Sequence, residues 1–317
     1  MPGPADRFPN MLREQISKVP YVLRHEGILA VGRRILGTLS EELQRLYLPV
    51  VGTRFSFFCP CCEYVGRFLG VRGQKHCQCP RCGALPRHRL LRLVLDALLE
   101  QRPPGSMSIL HIAPEPTLQH WLERQSRAYV AADLAHGLQV NSFTGQLAVV
   151  CDLRRLPFQD RSFDLVIASH VLEHIKEDWP AIQEIYRVLA WEGIALLPVP
   201  IVAGDLTIEY HRPHPREQYH VRAPGLDYFE RYREAGFNVT VRSSAEFPEQ
   251  YQIFAYEDRT KWPSAERPML PKQNGARHKE YLPICQKPGN NLSRPTAEGN
   301  REFACGGSGA RETLRVR

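Results

Sequence analysis

Two groups of residues in this 317-residue chain are of a type and spacing that could do chemistry. The first is a cysteine segment, Cys59-Pro-Cys-Cys62 and Cys79-Pro-Arg-Cys82-Gly83. Pairing Cys59 with Cys62 and Cys79 with Cys82 gives C-x2-C, an insert of sixteen residues and a second C-x2-C, the spacing of a four-thiolate zinc ribbon. Pro60 and Pro80 follow the first cysteine of each pair, so a tight turn can aim backbone N–H groups at the thiolates while two sulfurs reach one tetrahedral ion. Cys61, Cys77 and His76 leave other ligand registers open, and a cluster of free thiols is the plain alternative. Six of the nine cysteines fall between 59 and 82, which in a reducing compartment points to a structural metal rather than to disulfides.

The second group lies between Cys151 and His174. Phe163 to Ala168 is too short and too apolar for a surface helix, and its flanking Asp and Ser favour a strand covered on both faces. Such strands belong to parallel sheets, where ligands sit beyond the carboxyl ends. Ser169, His170, Glu173 and His174 are thereby directed towards a site. The run Leu156-Pro-Phe-x-Asp-x-Ser-Phe-Asp-Leu-Val166, followed by His170-Val-Leu-Glu-His174, resembles the signature of class I S-adenosylmethionine-dependent methyltransferases, nearest to their type 11, small-molecule branch.

That resemblance, which covers about residues 107 to 257, implies a cofactor and a set of contacts. The expected glycine-rich loop after the first strand is replaced by Ala113-Pro-Glu-Pro116, similar to a divergent subgroup of these enzymes. Ala113 stands where the first glycine belongs, and Glu115 is the candidate to hold the amino group of S-adenosylmethionine. Asp133, about twenty residues on, is placed to accept hydrogen bonds from both ribose hydroxyls. Asp152 is expected to face the adenine amino group or else to cap a turn, Leu153 to offer a backbone N–H and an apolar edge, and Ser169 to border the cofactor. Methyl transfer is an in-line displacement, so positioning suffices unless the acceptor must lose a proton. His170 is the first candidate for that base, with His174 one turn further on; the capping of a helix is its structural alternative. His220 lies in the stretch Glu217-Gln-Tyr-His-Val-Arg222, an expected acceptor-side clamp.

The elements that must position these residues follow from the apolar periodicity. Positions 11 to 48 predict two helices broken near Pro20 and Gly27 to Gly37, and Pro86 to Gln101 predicts a third whose Arg87, His88 and Arg89 sit at a solvated entrance. From Ser108 strands and helices alternate in the rhythm of an α/β, doubly wound Rossmann-like sheet. Strands are expected at 109–113, 129–132, 147–151, 163–168, 194–199, 237–241 and 252–256, with helices at 117–124, 179–189 and 226–235. Seven strands with an antiparallel last one are implied by the resemblance. The expected organisation is an N-terminal helical segment at 1–50, a zinc ribbon at 51–86, the methyltransferase domain at 87–257 and a proline-rich disordered tail at 258–317.

Charge and composition narrow the partners. The net charge of +7 is unevenly spread: residues 51–92 hold eight Lys and Arg against one acid, residues 93–257 fourteen against twenty-two, and residues 258–317 twelve against six. A ribbon ahead of such a domain also resembles ribosomal RNA methyltransferases, but an acidic body disfavours RNA and favours a small molecule, glycan or lipid. A non-catalytic binding module is the remaining alternative. No apolar run reaches the roughly 18 residues of a membrane helix and no signal-peptide layout is present, so a cytoplasmic location is expected.

Overall fold

The computed structural model describes residues 56–134 and 149–289, apart from 72, 101, 104, 214, 265, 266 and 269, and scattered positions between 19 and 43. The described positions between Val19 and Leu43 are helical except Gly27, which has a φ of +84°. Pro20 and Gly37 are helical rather than breaks.

The sheet that carries the second group of residues is built from β5 (Met107–Ile112), β6 (Ser126–Asp133), β7 (Val149–Val150), β8 (Phe163–Ala168), β9 (Leu189–Leu196), β12 (Asn238–Ser243) and β15 (Tyr281–Gln286). Its order is β12-β15-β9-β8-β5-β6-β7. Pairing is parallel from β7 across to β9, whereas β15 runs antiparallel to both β9 and β12. This is the expected seven-stranded Rossmann-like methyltransferase sheet. Strands β5 and β8 read as continuous apolar runs because helices cover both faces. Between them α1 (Pro86–Glu100), α2 (Pro116–Gln125), α3 (Asp178–Val188) and the short α4 (Glu230–Glu234) bury two apolar layers. One is centred on Leu110, Val166, Ile182 and Tyr232, the other on Leu91, Ile109, Leu118 and Ile167.

Two expectations fail here. The segment after Asp258 supplies β15, the central antiparallel strand, with Leu282 and Cys285 buried; residues 290–317 lie outside the described residues. The 252–256 strand exists as β13 (Phe254–Tyr256), but it joins a separate sheet of order β14-β13-β4-β3, with β14 at Arg277–Lys279, β4 at Gln74–Gln78 and β3 at Leu69–Val71. The tail therefore closes the main sheet and the ribbon sheet together.

The cysteine segment adds the hairpin β1 (Phe57–Cys59) and β2 (Tyr64–Gly66). It does not hang from the body by a linker. Cys59, Cys79 and Phe68 share one apolar layer with Leu90 of α1, Ile109 of β5 and Ile253. Arg89 is fully buried at the junction, contrary to the solvated entrance expected for it. Its guanidinium donates to the carbonyls of Ala84, Cys77, Tyr251 and Gln252 and stacks 4.5 Å from the Phe68 ring centroid. One buried cation thereby binds carbonyls of the cysteine segment, of the entry to α1 and of the 251–252 segment at once.

Candidate functional site

The four cysteines chosen by spacing converge. Cys59 and Cys82 sulfurs lie 3.6 Å apart, Cys62 and Cys79 sulfurs 3.7 Å, and all four lie within 4.8 Å of one another. Metal–sulfur bonds of about 2.3 Å in a tetrahedron put sulfurs about 3.8 Å apart, so the cluster has the dimensions of a single tetrahedral site. The knuckle turns follow from local sequence: Glu63 N–H donates to Cys59 O and Gly83 N–H to Cys79 O, with Glu63 and Gly83 both at positive φ. The other two thiols turn away. Cys61 faces the carbonyl of His88 and Cys77 faces the Gln74 side chain.

The second site lies where the main chain reverses its direction across the sheet, between the carboxyl ends of β5 and β8. Ala113 leaves β5 at φ +46°, a conformation that glycine adopts at no cost, and its N–H is spent on Ala132 O. Pro116 begins α2, and Glu115 holds the N-cap position with its carbonyl, its side chain making no cap bond. Inside the turn His111 is fully buried, with Nδ1 2.9 Å from Tyr129 Oη and Nε2 3.0 Å from Glu115 Oε2. Burial pushes the Tyr129 phenol up. Tyr129 therefore keeps its proton and donates to Nδ1, which leaves the Nε2 hydrogen for Glu115. Burial opposes charge on Glu115, yet the His111 hydrogen bond and the nearby His88 more than offset it and hold the carboxyl at about 2.

Among the described residues, three buried polar atoms around this turn lack a well-aligned hydrogen-bond partner, Glu115 Oε1, His88 Nε2 and Ser169 Oγ, although Ser169 stands close enough to Glu115 to help hold its carboxyl down. His88 Nε2 stands 3.8 Å from Glu115 Oε1. Since Leu85 N–H donates to His88 Nδ1, the ring hydrogen of the neutral imidazole belongs on Nε2. Burial, with Arg87 adding to it, lowers His88 to about 3 and keeps it neutral. One donor and two acceptors, one of them a carboxylate, thus converge without partners. That set complements a group bearing both an ammonium and a carboxylate.

Asp133 ends β6 as expected, partly buried, its Oδ1 accepting the N–H of Leu134; burial raises its carboxyl. Asp152 is differently engaged. Its carboxylate caps the turn through the N–H of Arg154 and pairs with that guanidinium at 2.7 Å, while Leu153 is buried. The Leu156 to Val166 signature fastens this turn to α3 through Leu156 N–H to Glu184 and Arg187 to the carbonyls of Leu156 and Phe158.

Beyond β8, Ser169 is buried and His170 adopts φ +55°, its N–H donating to Pro198 O. A 3-10 turn, Leu172–His174, presents the fully buried Glu173. His170 Nδ1 lies 3.4 Å from Glu173 Oε1. His174 and His220 meet edge to face with ring centroids 4.6 Å apart, and burial lowers His220 to about 4. The turn and the His220 loop are joined by Val221 N–H to Glu173 O. Arg222, which ends the expected clamp, does not face an acceptor. It is buried at 1% exposure, donates to the carbonyls of Leu172, Ile175 and Lys176, and pairs with Asp178 and Glu209.

Of the residues named from the sequence, His174 and His220 meet beside Glu173, whereas His88, expected at a solvated entrance, is buried, and His111 has no expected role. A histidine inside the apolar strand 107–112, four residues before Glu115, was the available signal.

Residues 117–197 match a family model described as a methyltransferase domain. No curated protein sequence matches the chain. Among solved structures, an S-adenosylmethionine dependent methyltransferase from Mesorhizobium loti is 15% identical, covering 60% of this chain and 96% of that one with a TM-score of 0.40. The [4+2]-cyclase SpnF is 17% identical, covering 64% and 84% with a TM-score of 0.39, and the YcgJ protein of Bacillus subtilis is 16% identical, covering 62% and 98% with a TM-score of 0.36. The family match spans α2 and β6 to β9, about a quarter of the chain, and begins just after the Ala113–Pro116 turn; the strand order around it is that of the Rossmann-like methyltransferase fold.

Proposed function

We propose that the chain transfers a methyl group from S-adenosylmethionine to a small-molecule, glycan or lipid acceptor, and that one structural zinc ion sits on Cys59, Cys62, Cys79 and Cys82. The observation that carries the cofactor reading is the trio of unpartnered atoms at the switch point. Glu115 Oε1 and Ser169 Oγ would take the cofactor's ammonium and His88 Nε2–H its carboxylate, work that glycine-loop backbone amides do elsewhere. Asp133 would take the ribose hydroxyls, and Leu153 would lend the adenine an apolar edge. Asp152, already engaged with Arg154, would contribute only if that pair opened. When bound, the cofactor supplies an electrophilic methyl group. The chain's own part is to orient the acceptor and receive its proton. His170 suits the second task, because Glu173 lies against Nδ1 and leaves Nε2 as the basic atom.

Calorimetry with S-adenosylhomocysteine tests the reading. Asp133→Ala should weaken binding by roughly ten- to a hundredfold, corresponding to about 1.5 to 3 kcal/mol. Glu115→Gln should weaken S-adenosylhomocysteine but leave adenosine, which lacks the amino acid moiety, unaffected. Parent protein with no affinity for the cofactor would leave a binding module in place of an enzyme.

A further inference from the structure

The histidine pair beyond β8 has a feature that methyl transfer does not require. Glu173 is completely buried, yet neither of its carboxylate oxygens has a well-aligned hydrogen-bond partner among the described residues, and its one close polar contact is His170 Nδ1, 3.4 Å from Oε1. A buried carboxylate left this bare is costly unless a cation completes it. The side chains that share its space are His174 and His220, and one ligand atom from each of the three lies within 4.8 Å of the others.

We propose that Glu173, His174 and His220 form a second metal site, distinct from the cysteine cluster, that binds one divalent transition-metal ion. Two imidazoles and one carboxylate suit zinc, iron(II), cobalt(II) or nickel(II) rather than magnesium or calcium, which prefer all-oxygen sets. Three protein ligands leave a coordination position open, the pattern of reactive rather than structural sites. Metal–ligand bonds of about 2.0 to 2.2 Å place donor atoms about 3 to 3.5 Å apart, so closure asks for a movement of about 1 Å. His174 is exposed and can supply it, whereas the frame is held fast. Val221 N–H to Glu173 O and the three carbonyl bonds of Arg222 lock the 3-10 turn against the His220 loop, so both arms of the site keep their separation without the ion. His170, against the other side of the carboxylate, orients it as an outer partner does in metal sites.

Resting on the methyl-transfer reading, the open position gives the acceptor's chemistry: an oxygen ligand such as a hydroxyl, bound to the ion and made easier to deprotonate. The metal site itself does not depend on that reading. Cobalt(II) titration of the zinc-loaded full chain, followed by visible absorption and by metal analysis after desalting, should detect a second equivalent with a nitrogen and oxygen ligand spectrum, not a thiolate one. His174→Ala removes an exposed ligand without disturbing the core and should weaken that equivalent by about a hundredfold or more. His220→Asn should do the same, while His120→Ala, on an exposed position of α2, should not. Parent protein that takes up no second equivalent, or a His174→Ala variant that retains it with unchanged affinity, would overturn the proposal. Loss of S-adenosylhomocysteine binding with cobalt uptake intact would instead count against the methyl-transfer reading alone.

Discussion

Glu115, expected from the sequence to be a ligand, is held in the fold by other side chains. Its type and position suggested a contact to an ammonium group; the structure adds the Tyr129–His111 relay that fixes one oxygen and leaves the other without a partner. Glu217 makes the opposite point. It lies in the stretch expected to clamp an acceptor, but it is 4% exposed and burial pushes its carboxyl up to about 7, with Arg267 opposing and Glu257 reinforcing the rise. The folded value exceeds the unfolded value of about 4.3, so native protein holds a proton there that unfolded protein releases. Stability from this group is complete below about pH 4.3 and declines as pH rises through 7. Between pH 6 and 8 the loss should be about 1 kcal/mol. Urea denaturation at the two pH values measures it, and Glu217→Gln should remove that part of the slope. An identical slope in the variant would mean another group is responsible.

At the level of elements, β15 decides whether the sheet closes. Tyr281-Leu-Pro-Ile-Cys-Gln286 sits between β9 and β12 and bonds both. A proline in the middle of a six-residue segment argues against a central strand, since it cannot donate to a ladder. Pro283 is tolerated because its carbonyl still accepts from Leu197 N–H. A chain ending at residue 257 would strip β12 of its neighbour and expose Leu196 and Val241 along the broken edge. Such a chain should not unfold cooperatively, whereas one ending at 289 should keep the parent's melting temperature within a few degrees. Circular dichroism melts of the two truncations check this, and a sharp transition in the shorter chain would show that the sheet stands without its seventh strand.

Across the whole molecule the ribbon and the methyltransferase body behave as one packed unit. Their apolar layer is continuous, β4 pairs with β13, and the buried Arg89 binds carbonyls on both sides of the junction. Withdrawing the zinc ion proposed for the four cysteines should therefore destabilise the whole packed unit. Scanning calorimetry with and without a strong chelator should show a single transition moved to lower temperature. A separate low-temperature transition, with the main one unmoved, would show instead a ribbon that unfolds alone.

What the sequence determined by itself was whatever is written in short-range pattern. The paired C-x2-C spacing chose four sulfurs out of six candidates, because a knuckle is a local turn and its geometry is set within five residues. The apolar run 163–168 and the alternation of strand and helix gave the parallel sheet, because burial on both faces leaves a compositional trace. The Leu156 to Val166 signature gave the resemblance to methyltransferases, although in the fold it fastens a loop to α3. Tertiary structure alone decided the matters that depend on partners distant in the chain. Arg89 reads as a solvated helix-entrance cation and Arg222 as part of an acceptor clamp, and both are buried because carbonyls from other segments converge on them. His88 meets Glu115, and His220 meets Glu173, across separations of 27 and 47 residues that no local period encodes. The tail reads as too polar to order, yet Tyr281–Gln286 forms a strand, because β9 and β12 present two edges whose hydrogen bonds a strand between them satisfies.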